Sequence, residues 1–128
     1  MLRTYSPRIS ALITGADPKW LDNLLSRHDL PGVSRARRGV ERRITEDGLL
    51  AIELCRILNL ELGVSVQQAA TIVSACNVFP GEDVFQFRTA SGLMLQLPIL
   101  ETRSRLRERT IEAVEMVAAV RRGRPRLS

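Results

Sequence analysis

Between Gly15 and Pro18 the chain ends one helix and begins another, and this short punctuation limits the fold more than any other feature of the sequence. Ser6 followed by Pro7 supplies an N-cap and a first-turn residue. Ile9, Leu12 and Ile13 then fall on one helical face until Gly15, which takes a left-handed helix cap without strain. With only Ala16 between, Asp17-Pro18 is a second start signal, and Trp20, Leu21, Leu24 and Leu25 repeat at helical spacing until the Pro31-Gly32 break. Two short helices joined this tightly are a helix-turn-helix candidate.

From Gly32 to Ile44 five arginines (Arg35, Arg37, Arg38, Arg42 and Arg43) surround Gly39. A short hairpin turning near Arg38-Gly39 is the expectation, and a basic linker without structure is the alternative. Thr45 then caps a third helix in which Leu49, Ile52, Ile57, Leu58 and Leu60 alternate with Glu46, Glu53 and Arg56 up to Gly63. Ser65-Val66-Gln67-Gln68 is a capping box, and Ala69, Ala70, Ile72, Val73 and Cys76 make the apolar face of a fourth helix.

Pro80-Gly81 breaks the helical pattern, and Val84 to Thr89 and Leu93 to Leu97 read as two strands around Ala90-Ser91-Gly92. Pro98 can start a last helix, along which Leu100, Arg103, Leu106, Thr110, Ala113, Val117 and Val120 step by three and four. That seam suits either pairing with a second copy or folding back on the chain's own module. The tail from Arg121 to Ser128 lacks core-forming residues and is expected to stay disordered until bound.

Charge follows the same divisions. Residues 1–45 hold nine Lys/Arg against four Asp/Glu, residues 46–101 two against seven, and residues 102–128 eight against three, so two basic ends flank an acidic middle in a chain of net charge +5. Such asymmetry is the footprint of a polyanion binder, because each phosphate neutralised by Lys or Arg releases condensed counterions; a merely solvated face is the plainer alternative. Aromatic residues are only 4% of the chain, too few for a stacking platform, so duplex rather than single-stranded nucleic acid is the expected partner.

Catalysis finds no support in the sequence. There is no phosphate-binding glycine loop and no nucleophile elbow, and His28 is the single histidine. Asp47, Glu53, Glu82 and Asp83 fall at helix starts, on a polar face or in a loop, where capping or solvated roles suffice. Cys55 and Cys76 sit in apolar helical patterns and read as core thiols, not as part of a metal or disulfide framework. Neither a signal peptide nor a membrane-spanning run is present, so the expectation is a cytoplasmic, nucleoid-associated protein of a bacterium or phage, without cofactor or metal.

In order, these parts are Ala11-Leu12-Ile13-Thr14-Gly15-Ala16-Asp17-Pro18-Lys19-Trp20-Leu21, the arginine-rich segment, Ile44-Thr45-Glu46-Asp47-Gly48-Leu49 and Leu62-Gly63-Val64-Ser65-Val66. Over roughly residues 5–76 they resemble the winged helix-turn-helix of the mercury-resistance regulator (MerR) family. The chain departs from that family at Asp22-Asn23-Leu24, where an arginine and aromatic residues are usual, and it lacks the family's downstream metal cysteines.

The resemblance implies a winged helix-turn-helix DNA-binding module over residues 1–78; with the β-hairpin and dimerisation helix read from the residue pattern over 79–120 and the disordered basic tail over 121–128, the expected fold is mainly α. The start of the second helix would enter the major groove with Lys19, Asn23 and Arg27. Trp20 could join them or pack in the core. Arg35, Arg37, Arg38, Arg42 and Arg43 of the wing would lie on phosphates or in the adjacent minor groove. In the tail, Arg122-Gly123-Arg124-Pro125 resembles the core of an AT-hook, so Arg122, Arg124 and Arg126 form a further candidate DNA contact or a generic basic tail.

The leading expectation is therefore a sequence-specific, double-stranded-DNA-binding transcriptional regulator acting as a homodimer. One alternative is an architectural or assembly DNA-binding protein of the phage excisionase or terminase small-subunit kind. Another is a protein-interaction module such as an antitoxin or adaptor, docking a partner through the hairpin at 83–97.

Overall fold

The computed structural model describes residues 3–35, 37–76 and 83–123. Among them the chain is mainly helical, with five helices and one two-stranded antiparallel hairpin. The helix starts are built as the capping residues require. Helix α1, Pro7–Thr14, begins where the Ser6 hydroxyl accepts from the Ile9 amide at 3.2 Å. Gly15, at φ +75°, closes it by donating to the Ala11 carbonyl at 2.9 Å. Helix α2, Pro18–Arg27, starts on the Asp17 carboxylate, which accepts from the amides of Lys19 and Trp20 at 2.9 and 3.2 Å. Leu21, Leu24 and Leu25 turn α2 inward beside Ile13 and Ala11 of α1.

Helix α3, Glu46–Leu62, is the centre of the molecule. Every residue from Gly48 to Cys55 is buried, because α1, α4 and α5 all pack on α3. The amphipathic pattern expected of α3 therefore fails at both ends: its first half is buried all round, and Leu60, expected on the apolar face, is exposed together with Leu62. Leu12, expected on the apolar face of α1, is exposed as well. Helix α4, Val66–Ala75, opens on Ser65, whose hydroxyl accepts from the Gln68 amide at 3.1 Å, and buries Ala69, Ala70, Ile72 and Val73 as its spacing predicts.

Strands β1, Val84–Arg88, and β2, Met94–Pro98, pair with Phe87 opposite Leu95 and Phe85 opposite Leu97. Those four side chains pack against the common core and leave Val84 and Met94 on the outer face. Pro98 ends β2, so helix α5, Ile99–Gly123, starts one residue later than the proline alone suggests. It also runs to Gly123, three residues into the segment expected to be a disordered tail; 124–128 lie outside the described residues.

Helix α5 folds back across α1 and α3. Ile99, Thr102, Leu106 and Ala113 are buried there, and one hydrophobic cluster runs from α1 through β2 to Ala113, spanning both of the segments that the sequence suggests as separate units. The polar interruptions on the packed side of α5 cost little, since Thr102 and Thr110 donate their hydroxyls to carbonyls one turn back at 2.6 and 2.7 Å. Leu100 and Val120, at the two ends of the predicted seam, stay exposed.

Candidate nucleic-acid interface

The arginine-rich segment does turn at Arg38-Gly39. The amide of Val40 donates to the Arg37 carbonyl at 3.0 Å, and Gly39 has φ +76°, a value suited to glycine at the third position of a tight turn. Antiparallel bridges Arg37 to Val40 and Val33 to Ile44 lie on one register, and the Ser34 amide donates to the Arg43 carbonyl at 2.9 Å between them. The chain thus projects as a short arm with Gly39 near its tip.

The base of this arm is anchored on both sides. Ile44, fully buried, also pairs with Tyr5, whose amide and carbonyl bond to Ile44 at 2.8 and 2.9 Å, so the chain start forms a third line of backbone beside the arm. The Gly32 carbonyl accepts from the amide and the hydroxyl of Thr45, each at 2.9 Å. Gly32 is irreplaceable on two grounds. Its φ is +80°, and an added Cβ would come 2.2 Å from the Gly48 amide nitrogen.

Arg35, Arg37, Arg38 and Arg43 are exposed on the arm, and Arg42 is half-buried beside the chain start. Arg35 makes one loose contact, its Nε lying 4.0 Å from Asp29 with both side chains open to solvent. Such a pair contributes little and leaves the guanidinium available. Arg3 sits over the Tyr5 ring, 5.5 Å from its centre.

On α2 the candidate residues Lys19, Asn23 and Arg27 are exposed and, spaced four apart, share the face opposite Leu21, Leu24 and Leu25. Trp20 has a partner within the fold. It is half-buried, and its indole N–H donates to the Asn59 side-chain oxygen at 3.3 Å while the Asn59 amide donates to the Val64 carbonyl at 2.8 Å, tying α2 to the end of α3. His28 caps the C-terminal end of α2. Arg122 falls in the last turn of α5, and Arg124 and Arg126 lie outside the described residues.

Several arginines of the basic C-terminal segment are committed internally. Arg103 meets Asp47 and Arg107 meets Glu46, each at 2.8 Å, so α5 lies on the acidic first turn of α3. Glu53 is not on a polar face as its spacing suggests. It is 3% exposed and held between Arg56, at 2.7 Å, and Arg109, at 3.1 Å. Arg109 also donates to the Thr14 carbonyl at 3.3 Å, at the C-terminal end of α1. The i, i+3 spacing of Glu53 and Arg56 hints at half of this cluster; nothing local points to Arg109.

Among the described residues no three of His, Cys, Asp and Glu gather as metal ligands, and no helix is long and apolar enough to cross a membrane. Of Phe85, Phe87, Met94 and Leu95, which a protein-docking hairpin would expose, Met94 is exposed and the other three are half-buried against the chain's own core. Comparison with protein-family models, with characterised proteins and with solved structures finds no match to the chain.

Proposed function

We propose that this protein binds duplex DNA as a winged helix-turn-helix of the MerR-like kind, with α1 and α2 as the helix-turn-helix and the 33–44 arm as its wing. The observation that carries the reading is the way charge is divided. Arg103, Arg107 and Arg109 are neutralised by Glu46, Asp47 and Glu53, whereas Arg37 and Arg38 at the turn of the arm and Arg43 near its base are exposed with no ion pair among the described residues. Four exposed arginines on a narrow arm, held rigid at its base by Tyr5, Ile44 and Thr45, suit phosphates or a minor groove.

The exposed Lys19, Asn23 and Arg27 of α2 are then the base-reading residues, with Asn23 suited to adenine and Arg27 to guanine. A single short helix reads few base pairs, so a sequence-specific regulator would act as a homodimer on two half-sites. The test is affinity selection of sheared genomic DNA on the purified protein at physiological salt, followed by sequencing. A motif with two related half-sites is expected. Retention without a motif would replace the regulator with an architectural role, and no retention at all would refute the DNA reading.

A further inference from the structure

A cavity of about 90 Å³ lies between α3, α4 and α5 beneath the Pro31-Gly32 turn, and the DNA reading makes no use of it. Leu50, Ala51, Leu54 and Val73 wall it with buried apolar surface. Cys76, the Pro31-Gly32 turn, and Arg103 and Asp47, joined by an ion pair of 2.8 Å, complete its lining. Their surroundings differ: the Arg103 side chain is 15% exposed and the Asp47 side chain 66%. The pair engages Nη2 of Arg103 and Oδ1 of Asp47, while a guanidinium has five N–H donors and a carboxylate two acceptor oxygens, so both groups keep bonding capacity.

A cation and an anion side by side over an apolar recess fit a ligand with the same three parts. A simple carboxylate would be attracted by Arg103 but repelled by Asp47, and a simple amine the reverse. A zwitterion satisfies both, and its charge-assisted bonds would form partly out of water. Size narrows the choice. An apolar cavity of about 150 Å³ accommodates the six carbons of benzene, roughly 25 Å³ per carbon. On that scale about 90 Å³ takes three or four carbons.

We propose that this cavity binds a small aliphatic L-amino acid of the valine or leucine type, its side chain among Leu50, Ala51, Leu54 and Val73, its carboxylate on Arg103 and its ammonium on Asp47. Pro31 and Gly32 form part of the wall and also begin the arginine arm, whose base is fixed by the two bonds from Thr45 to the Gly32 carbonyl. A bound amino acid therefore presses on the turn that aims the arm. This second consequence rests on the DNA reading; the binding itself does not.

Calorimetry on the full chain without DNA tests the site, with L-leucine, L-valine, isovalerate and isobutylamine as the probes. L-leucine or L-valine is expected to bind saturably, and the two analogues, each lacking one charge, to bind at least about ten-fold more weakly. Arg103→Gln should lose leucine affinity by a similar factor. Ala51→Leu should abolish binding by filling the recess; should that variant misfold, the analogue series carries the test unaided. Absence of saturable binding by either amino acid, equal binding by the analogues, or undiminished leucine affinity in Arg103→Gln would overturn the proposal. Leucine that binds but leaves DNA affinity unchanged would overturn the coupling to the arm alone.

Discussion

Replacing Arg37 and Arg38 together with alanine separates a DNA-binding arm from a merely solvated one. Both residues immediately precede Gly39 at the exposed end of the arm, and neither has an ion pair among the described residues, so their removal should alter stability by no more than about 0.5 kcal/mol. Each phosphate neutralised contributes about 0.9 to the slope of log K against log salt. Four exposed arginines on phosphates would give about 3.6 per protomer, and the double variant should retain about half of that slope. Over a four-fold rise in salt the parent should therefore lose about twelve-fold more affinity per protomer than the variant. Fluorescence anisotropy with a labelled duplex, titrated at several salt concentrations, reads this directly. Arg37→Lys with Arg38→Lys preserves the charges and should preserve the slope, and Arg107→Ala, which removes a cation already paired with Glu46, should leave it unchanged. A double-alanine variant that is folded and keeps the parent slope would refute contact between the arm and phosphates.

Other consequences follow from single side chains. Glu53→Ala leaves two guanidiniums facing a buried void and should cost about 3 kcal/mol in urea unfolding, whereas Arg109→Ala should cost less, because Arg109 is 40% exposed and Arg56 still pairs with Glu53. Gly32→Ala should cost more than about 3 kcal/mol, since its Cβ would lie against the Gly48 backbone. Gly39→Ala meets no neighbour and should cost only the roughly 1 kcal/mol of a left-handed alanine; equal losses in thermal unfolding would contradict this. Burial pushes the Cys55 thiol from 9.0 up to about 12. In the unfolded chain that thiol ionises near 9 while the folded one stays neutral, so the protein should lose about 1.4 kcal/mol per pH unit between pH 9 and 12 relative to Cys55→Ala at the same pH; parallel pH profiles of the two proteins would contradict it. Asn23→Ala and Arg27→Ala should leave stability unchanged and relax preference at single base positions by about 1–3 kcal/mol, read by selection from a randomised duplex.

The parts of this fold legible in the sequence are those governed by bonds within a turn. Ser6, Asp17, Thr45 and Ser65 cap the helices they were expected to cap, and Gly15 and Gly63 close theirs with positive φ, because capping is decided within about four residues. The turn at Arg38-Gly39 is local in the same sense. What the sequence hides depends on distant partners. Glu53 and Arg109 are 56 residues apart, and an isolated glutamate in a helical pattern has the same local signature whether it meets water or a guanidinium. Tyr5 pairs with Ile44 through backbone groups, which leave no trace in side-chain identity. Of the candidate interface, the turn of the arm and the exposure of Lys19, Asn23 and Arg27 on α2 follow from local pattern, whereas the bond of Trp20 to Asn59 does not, because its partner lies 39 residues away.

The least legible quantity was net charge itself. By segment, the two ends of the chain carry equal excesses of positive charge, which suggests two equivalent contacts with a polyanion. Packing separates them. The acids of α3 lie under α5, so Arg103, Arg107 and Arg109 serve to dock that helix, and Arg109 also holds the last carbonyl of α1, next to the turn that sets the angle between α1 and α2. Arginines on α5 thus hold the end of α1 and the first turn of α3, the elements on either side of α2 and the arm. If α2 and the arm read DNA as proposed, breaking the Glu53 cluster should lower affinity without removing any group that touches DNA. Arg109→Ala should then weaken binding while leaving the salt slope unaltered, because no phosphate contact has been lost. A slope that falls along with affinity would instead place Arg109 itself on the DNA.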